Sequence, residues 1–287
     1  MKKSSPLEIL KRQIEILSLI EREPETYSVH DVCALFNVET PTVNRDLQSL
    51  RSFGFDIHSS KKKLKLFGAS NERDYTKLLS LYLPLSHFAV GFPKNISLVA
   101  KKMGKRALAT FVSLVNAIED KREIEITYYK MYDDETVTRS VQPYLLFPTT
   151  KDWMLIAKHG TTYKQFFVDN IKEIKTLDTK FLRDENFSVE TFFLYSWETF
   201  RGEKPITVQL HFSKRAATLV QNRVWSETQL LEPQTDGSLL YTVQVGDVEE
   251  IIGWIMSWGG EVEIITPMEF KKMVREKSLS IIGIDKK

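Results

Sequence analysis

The chain has 287 residues, 42% hydrophobic and 27% charged, the composition of a folded protein rather than a disordered one. That length exceeds what one core usually organises, so two or three domains are expected. No stretch nears the roughly 20 apolar residues of a membrane span, the N-terminus lacks the apolar run of a secretory signal, and the lone Cys33 cannot form an internal disulfide, which together predict a cytoplasmic chain without a membrane partner.

The formal net charge of +2 is unevenly spread: +2 over residues 1–70, +5 over 71–122, −1 over 123–180 and −4 over 181–287. A polyanion partner is therefore expected on the first two fifths, the alternative being solvated faces alone. In chain order, Leu7 to Arg22 has one apolar helical face and ends at Glu21–Glu25 with Pro24. Ser28, with Asp31 three residues on, starts a short second helix through Phe36. Thr40-Pro41 then offers a cap followed by proline in the first turn of a third helix, about Pro41 to Phe53. Val43, Leu47 and Leu50 fall on its inner arc, and Thr42, Asn44, Arg45, Gln48 and Ser49 on the outer one. Those outer residues are types that bind phosphates or read base edges. After Gly54, F-D-I-H-S-S-K-K-K-L-K-L-F-G alternates as a hairpin with Lys61, Lys62 and Lys63 near its tip. Three helices and a basic hairpin over 1–70 make a winged helix-turn-helix plan, with double-stranded DNA as partner. T-P-T-V-N-R-D-L-Q-S-L-R-S-F-G-F resembles the recognition helix of DeoR-type winged-helix regulators.

Residues 71–122 read as a helical linker of three helices, the last from Lys105 to Glu119 with Leu108, Phe111, Val112, Val115 and Ile118 on one face. Lys101, Lys102, Lys105 and Arg106 form a basic cluster there, read as a solvated connector face ahead of a DNA contact.

Residues 123–180 alternate as four or five short strands with close turns, a small bent barrel. Ile124, Ile126 and Tyr128 share one face, and Pro143 is expected to bend the next strand. Arg139, Lys158, His159 and Lys164, with Tyr128, Trp153 and Phe166 as stacking partners, are the candidate ligand residues, since cations beside aromatic faces hold nucleotides. Trp153 and Phe166, at strand spacing, are of a kind more often found in a core than on a platform. This stretch resembles the WYL domain, an Sm-like barrel, which implies a nucleic-acid or nucleotide-type ligand. The likeness rests on Arg139-Ser-Val-Gln-Pro143, Trp153-Met154-Leu155, Lys164-Gln-Phe166 and Asp169-Asn170-Ile171. Met154 lacks the family's tyrosine hydroxyl, Lys164 lacks arginine's bidentate fork, and Asn170 lacks a charge.

Residues 181–204 read as an aromatic connector with a short helix, packed on the barrel. The order strand, helix, strand, strand, helix, strand over 205–287, with a turn at Asp236-Gly237, predicts a ferredoxin-like α/β layer. Trp225-Ser-Glu-Thr-Gln229 and Trp254-Ile-Met-Ser-Trp258-Gly259 resemble the C-terminal extension of WYL regulators, which implies a homodimer. The expected fold class is thus multidomain α+β.

No metal-ligand spacing, phosphate loop or dinucleotide fingerprint occurs, so no cofactor, metal or enzymatic activity is expected. Asp133-Asp134-Glu135 reads as a solvated turn ahead of a cation site. The function expected is a ligand-responsive transcription regulator. The alternatives are a single-strand or RNA binder with the barrel as main reader, and a protein-interaction adaptor.

Overall fold

The computed structural model describes residues 5–68, 72–85, 96–149, 152–197, 204–281 and 283. It is a mixed α/β chain with several antiparallel sheets, divided into two compact units, Met1–Arg183 and Asp184–Lys287.

The first unit opens with α1 (Pro6–Arg22), started by a capping box in which Ser5 and Glu8 exchange hydrogen bonds. A second box, Ser28 with Asp31, starts α2 (Val29–Phe36), and Asn37 ends it in the left-handed region at φ 50°. The next helix, α3 (Thr40–Ser52), begins one residue before the position expected. Its N-cap is Glu39, which makes no side-chain cap bond, so Thr40 is already helical. Val43, Leu47 and Leu50 are buried as the periodicity requires. Two short strands, β1 (Ile57–Ser60) and β2 (Lys63–Leu66), pair in register around a two-residue turn.

Helices α4 (Glu72–Tyr82), α5 (Ile96–Met103) and α6 (Arg106–Glu119) follow. Phe92–Asn95, expected as the start of the second of these, lies outside the described residues. The last helix is no mere linker. Between its terminal charges, Ala107 to Ile118 carries no ionisable residue, and Leu114 and Ala117 are buried along with the expected face. It touches α1, α4 and α5 on one side and the following sheet on the other.

That sheet has five antiparallel strands: β3 (Arg122–Lys130), β4 (Glu135–Pro148), β5 (Trp153–His159), β6 (Thr162–Phe167) and β7 (Ile171–Lys180), in the order β6-β5-β4-β3-β7. The long β4 is kinked by a bulge between Pro143 and Leu145, where proline has no N–H for the ladder. The sheet rolls up far enough for β3 to meet β6 across two intervening strands. The rings of Tyr128 and Phe166 stand edge to face at 5.2 Å, and the Phe167 N–H donates to the Tyr128 hydroxyl at 3.3 Å. One buried apolar cluster runs from Ile14 through α6 to Ile171, so the segment from α1 to β2, the three helices after it and the five-stranded sheet share a core.

The second unit starts with α7 (Val189–Phe193), capped by Ser188. Phe181, expected in the same connector, belongs to the first unit and stacks on Tyr144. Residues 198–203 lie outside the description. Then come β8 (Ile206–Phe212), α8 (Lys214–Gln221), β9 (Leu230–Pro233), β10 (Leu239–Val245), α9 (Val248–Ser257), β11 (Val262–Thr266) and α10 (Met268–Ile281). The strands form one antiparallel sheet in the order β11-β8-β10-β9, fourth-first-third-second. Gly237, at φ 86°, makes the β9–β10 turn at the place predicted. Trp197, Trp225, Trp254 and Trp258 pack with Phe212 and Tyr241 into an aromatic core. Among the described residues, no helix is long and apolar enough to cross a membrane.

Candidate nucleic-acid interface

The outer arc of α3 presents Asn44, Arg45 and Gln48 to solvent, with Thr42 and Ser49 half-buried at its margins. What holds that arc outward is a group that periodicity alone did not disclose. Asp46 is 2% exposed, on the inner side of the helix. The Arg12 guanidinium of α1 donates to both its oxygens, Nε to Oδ2 at 2.7 Å and Nη2 to Oδ1 at 3.3 Å, and Gln13 Nε2 donates at 3.0 Å. A buried carboxylate with three donors fixes the rotation of α3 about its own axis. At the far end, Arg51 Nε donates to the Ile57 carbonyl at 2.7 Å, tying α3 to β1.

The hairpin lysines do not form one group. Lys61 and Lys62 occupy the two-residue turn, both exposed and both in the left-handed region, at φ 48° and 65°. Lys63 instead reaches back to Asp31 at 3.0 Å, and Lys65 to Glu25 at 2.5 Å. The Ser28 backbone N–H, followed by Lys63, holds the Asp31 carboxyl well below the usual range. Lys65 lowers Glu25 in the same sense. Lys63, expected as a DNA contact, is thus paired with Asp31, while Lys61 and Lys62 form no salt bridge among the described residues.

In the basic cluster, Lys102 is salt-bridged to Asp152 and, at 3.3 Å, to Asp169, which raises its pKa. Arg106 donates to the carbonyls of Ile171, Lys172 and Asp169 at 2.9, 3.2 and 3.3 Å. These two side chains clamp α5 and α6 to the start of β7, leaving Lys101 and Lys105 exposed.

On the sheet, cross-strand partners share a face. The pairs Ile126–Arg139, Pro143–Ala157, Leu155–Phe166 and Ala157–Lys164 therefore put Arg139, Lys164, Tyr128, Trp153, Phe166 and His159 on the inner face. Arg139 and Lys164 are half-buried there and form no ion pair among the described residues. His159 Nδ1 lies 3.1 Å from the Ser140 carbonyl. Trp153 and Phe166, expected as stacking platforms, are 1% and 3% exposed and belong to the core. The Trp153 ring meets Phe111 of α6 edge to face at 5.4 Å, and its burial leaves no face open to a base. Its buried Nε1 has no hydrogen-bond partner among the described residues.

Lys158 points to the opposite face, as it must beside His159. Its ammonium stands 5.5 Å over the Tyr163 ring, Tyr163 meets Tyr144 edge to face at 5.1 Å, and the Arg183 guanidinium lies 4.9 Å over Tyr144. Burial lowers the Arg183 pKa. Tyr144, Tyr163 and Arg183 were not expected at a site. The cross-strand pairing of Lys158 with Tyr163 brings those two together, and Tyr144 beneath them is fully buried.

A cleft of about 470 Å³ opens between the end of α1, α6 and β7, lined in part by Arg22, Arg106, Lys172, Lys175, Glu23 and Glu173. Asp133, Asp134 and Glu135 are engaged locally, with Lys130 at 3.3 Å, the Tyr129 hydroxyl at 2.8 Å and Lys130 at 3.0 Å. Among the described residues no cluster of His, Cys, Asp and Glu is placed to hold a metal ion.

No curated protein matches the chain. Among solved structures, the chain is similar to proteasome accessory factor B/C (PafBC) of Arthrobacter aurescens, with 16% identity and a TM-score of 0.33, covering 99% of this chain and 50% of that one. The chain thus spans half the length of PafBC. A CRISPR Cas-related protein matches over 99% of this chain and 86% of its own, with 10% identity and a TM-score of 0.47. Residues 109–176 match the WYL domain and residues 204–279 the WCX domain. The chain carries a WYL domain followed by a WCX domain.

Proposed function

We propose that the chain is a DNA-binding transcription regulator that acts by binding rather than catalysis. In this reading residues 1–70 form a winged helix-turn-helix, 123–180 an Sm-like barrel and 205–287 a ferredoxin-like layer. The observation that carries it is α3. Asn44, Arg45 and Gln48 stand in one exposed row, on a helix whose inner side is pinned by the buried Arg12–Asp46 pair, beside a lysine-tipped hairpin. Such a helix fits a major groove, where arginine pairs with guanine and asparagine or glutamine with adenine. A homodimer would set two such helices on two half-sites. The inner-face cations Arg139 and Lys164 would take an anionic, nucleotide-type ligand. Arg139, half-buried and in no ion pair among the described residues, supports this, because a cation removed from water gains most from a counter-anion.

The test is duplex binding by the unaltered chain and by an Arg45→Ala/Gln48→Ala variant with an unchanged circular dichroism spectrum. Loss of binding in the variant supports the reading, and undiminished binding overturns it. A second reading, in which the barrel reads single strands, is favoured by one observation. Lys158 stands over the half-buried Tyr163 ring on the outer face, a cation beside an aromatic of the kind that holds stacked bases. Tighter binding of a single strand than of a duplex, lost on Lys158→Ala, would favour it.

A further inference from the structure

The β1–β2 hairpin is anchored along β2 and strained at its tip. One pair away from the turn, the Leu64 N–H donates to the Tyr27 carbonyl at 2.7 Å, and the Glu25 N–H donates to the Leu64 carbonyl at 3.1 Å. Strand alternation puts Leu64 into the core and Lys63 and Lys65 on the other face, where Asp31 and Glu25 neutralise them. Asp31 also caps α2, so the same carboxylate holds the helix end and the hairpin.

At the tip, Ser60 pairs with Lys63, leaving only Lys61 and Lys62 to reverse the chain. Such a turn demands positive φ at both positions, for which Asn-Gly is the favoured pair. Two lysines are a poor choice by conformation alone. Among the described residues neither forms a salt bridge, although Lys61 is near enough to Glu25 to add to the lowering of its pKa.

We infer that the hairpin divides its lysines into two roles, Lys61 and Lys62 as the phosphate contacts and Lys63 and Lys65 as the anchors that hold the tip in its unfavourable turn. The inference rests on the DNA-binding reading above. Strain at a site that surrounding structure enforces is the mark of a position chosen for what it presents. Here it presents two adjacent cations that form no salt bridge among the described residues, beyond the end of the sheet.

The experiment is the salt dependence of binding to a fluorescein-labelled, mixed-sequence duplex of about 30 base pairs, between about 50 and 200 mM salt. Each phosphate contact contributes about 0.9 to the slope of log affinity against log salt. Lys61→Ala and Lys62→Ala should each lower the slope by about that amount, and the double arginine variant K61R/K62R should restore it. Lys63→Ala should leave the slope unchanged while lowering the thermal midpoint. The variant K61N/K62G should raise the midpoint and still lose both contacts, which a merely structural role for the two lysines would not produce. An unchanged slope in Lys61→Ala and Lys62→Ala overturns the inference while leaving duplex binding in place. An equal fall in Lys63→Ala overturns the division of roles. No duplex binding by the unaltered chain overturns the reading of function itself, and the inference with it.

Discussion

At the scale of single residues, the charges that matter are those the fold has already paired. Arg12 and Asp46 are both nearly out of solvent, and removing one partner from such a pair costs about 3–5 kcal/mol. Arg12→Ala should therefore destabilise the chain by about that much in urea unfolding, far more than Arg45→Ala on the exposed side of α3. Equal effects would mean that the pair does not hold the helix. Glu21 poses the opposite case. The Tyr75 hydroxyl of α4 donates to its Oε1 at 2.7 Å, but Oε2 is buried without a partner among the described residues. Desolvation raises this carboxyl to about 7, against the lowering effects of Tyr75 and Lys105. The folded state therefore holds a proton that the unfolded state releases near pH 4.5. Its contribution to stability is full below that pH and is lost as pH rises through about 7. Glu21→Gln should remove that part of the pH dependence in urea titrations between pH 5 and 8; an unchanged profile would show that Glu21 stays ionised.

At the scale of elements, Ser28 caps α2 while Asp31, its reciprocal partner, holds Lys63. Ser28→Ala should cost about 1 kcal/mol in unfolding, the usual loss for an N-cap, and a cost near zero would mean the box is idle. The inner and outer arcs of α3 were legible because a 3.6-residue period sorts side chains without knowledge of neighbours. Asp46 was not legible, since its burial depends on Arg12, 34 residues away in sequence. The sheet shows the same limit. Alternation puts neighbours such as Lys158 and His159 on opposite faces, although both were expected at one site. It could not place Lys158 over Tyr163, which depends on strand register. Trp153 and Phe166 were apolar at strand spacing, and the core took them. The uncharged run from Ala107 to Ile118 already marked a helix buried nearly all round, a signal stronger than the linker reading given to it.

At the scale of the whole molecule, two separate apolar cores imply two unfolding units. Of the five tryptophans, Trp153 lies in the first core and Trp197, Trp225, Trp254 and Trp258 in or against the second. Tryptophan fluorescence should therefore report mostly on the second unit and far-UV circular dichroism on both, giving non-coincident urea curves. Coincident curves would mean that the two cores unfold as one. The WYL and WCX matches fall on the rolled sheet with α6 and on the four-stranded layer. The N-terminal reader rests on its own geometry, and there the central claim is most exposed. It is tested most directly by titrating a labelled duplex with the unaltered chain and with Arg45→Ala/Gln48→Ala at low salt. DNA reading by α3 predicts salt-dependent binding by the unaltered chain and at least a tenfold loss in the variant, about 1.4 kcal/mol or more. Equal binding by the two proteins, with both folded, would contradict it.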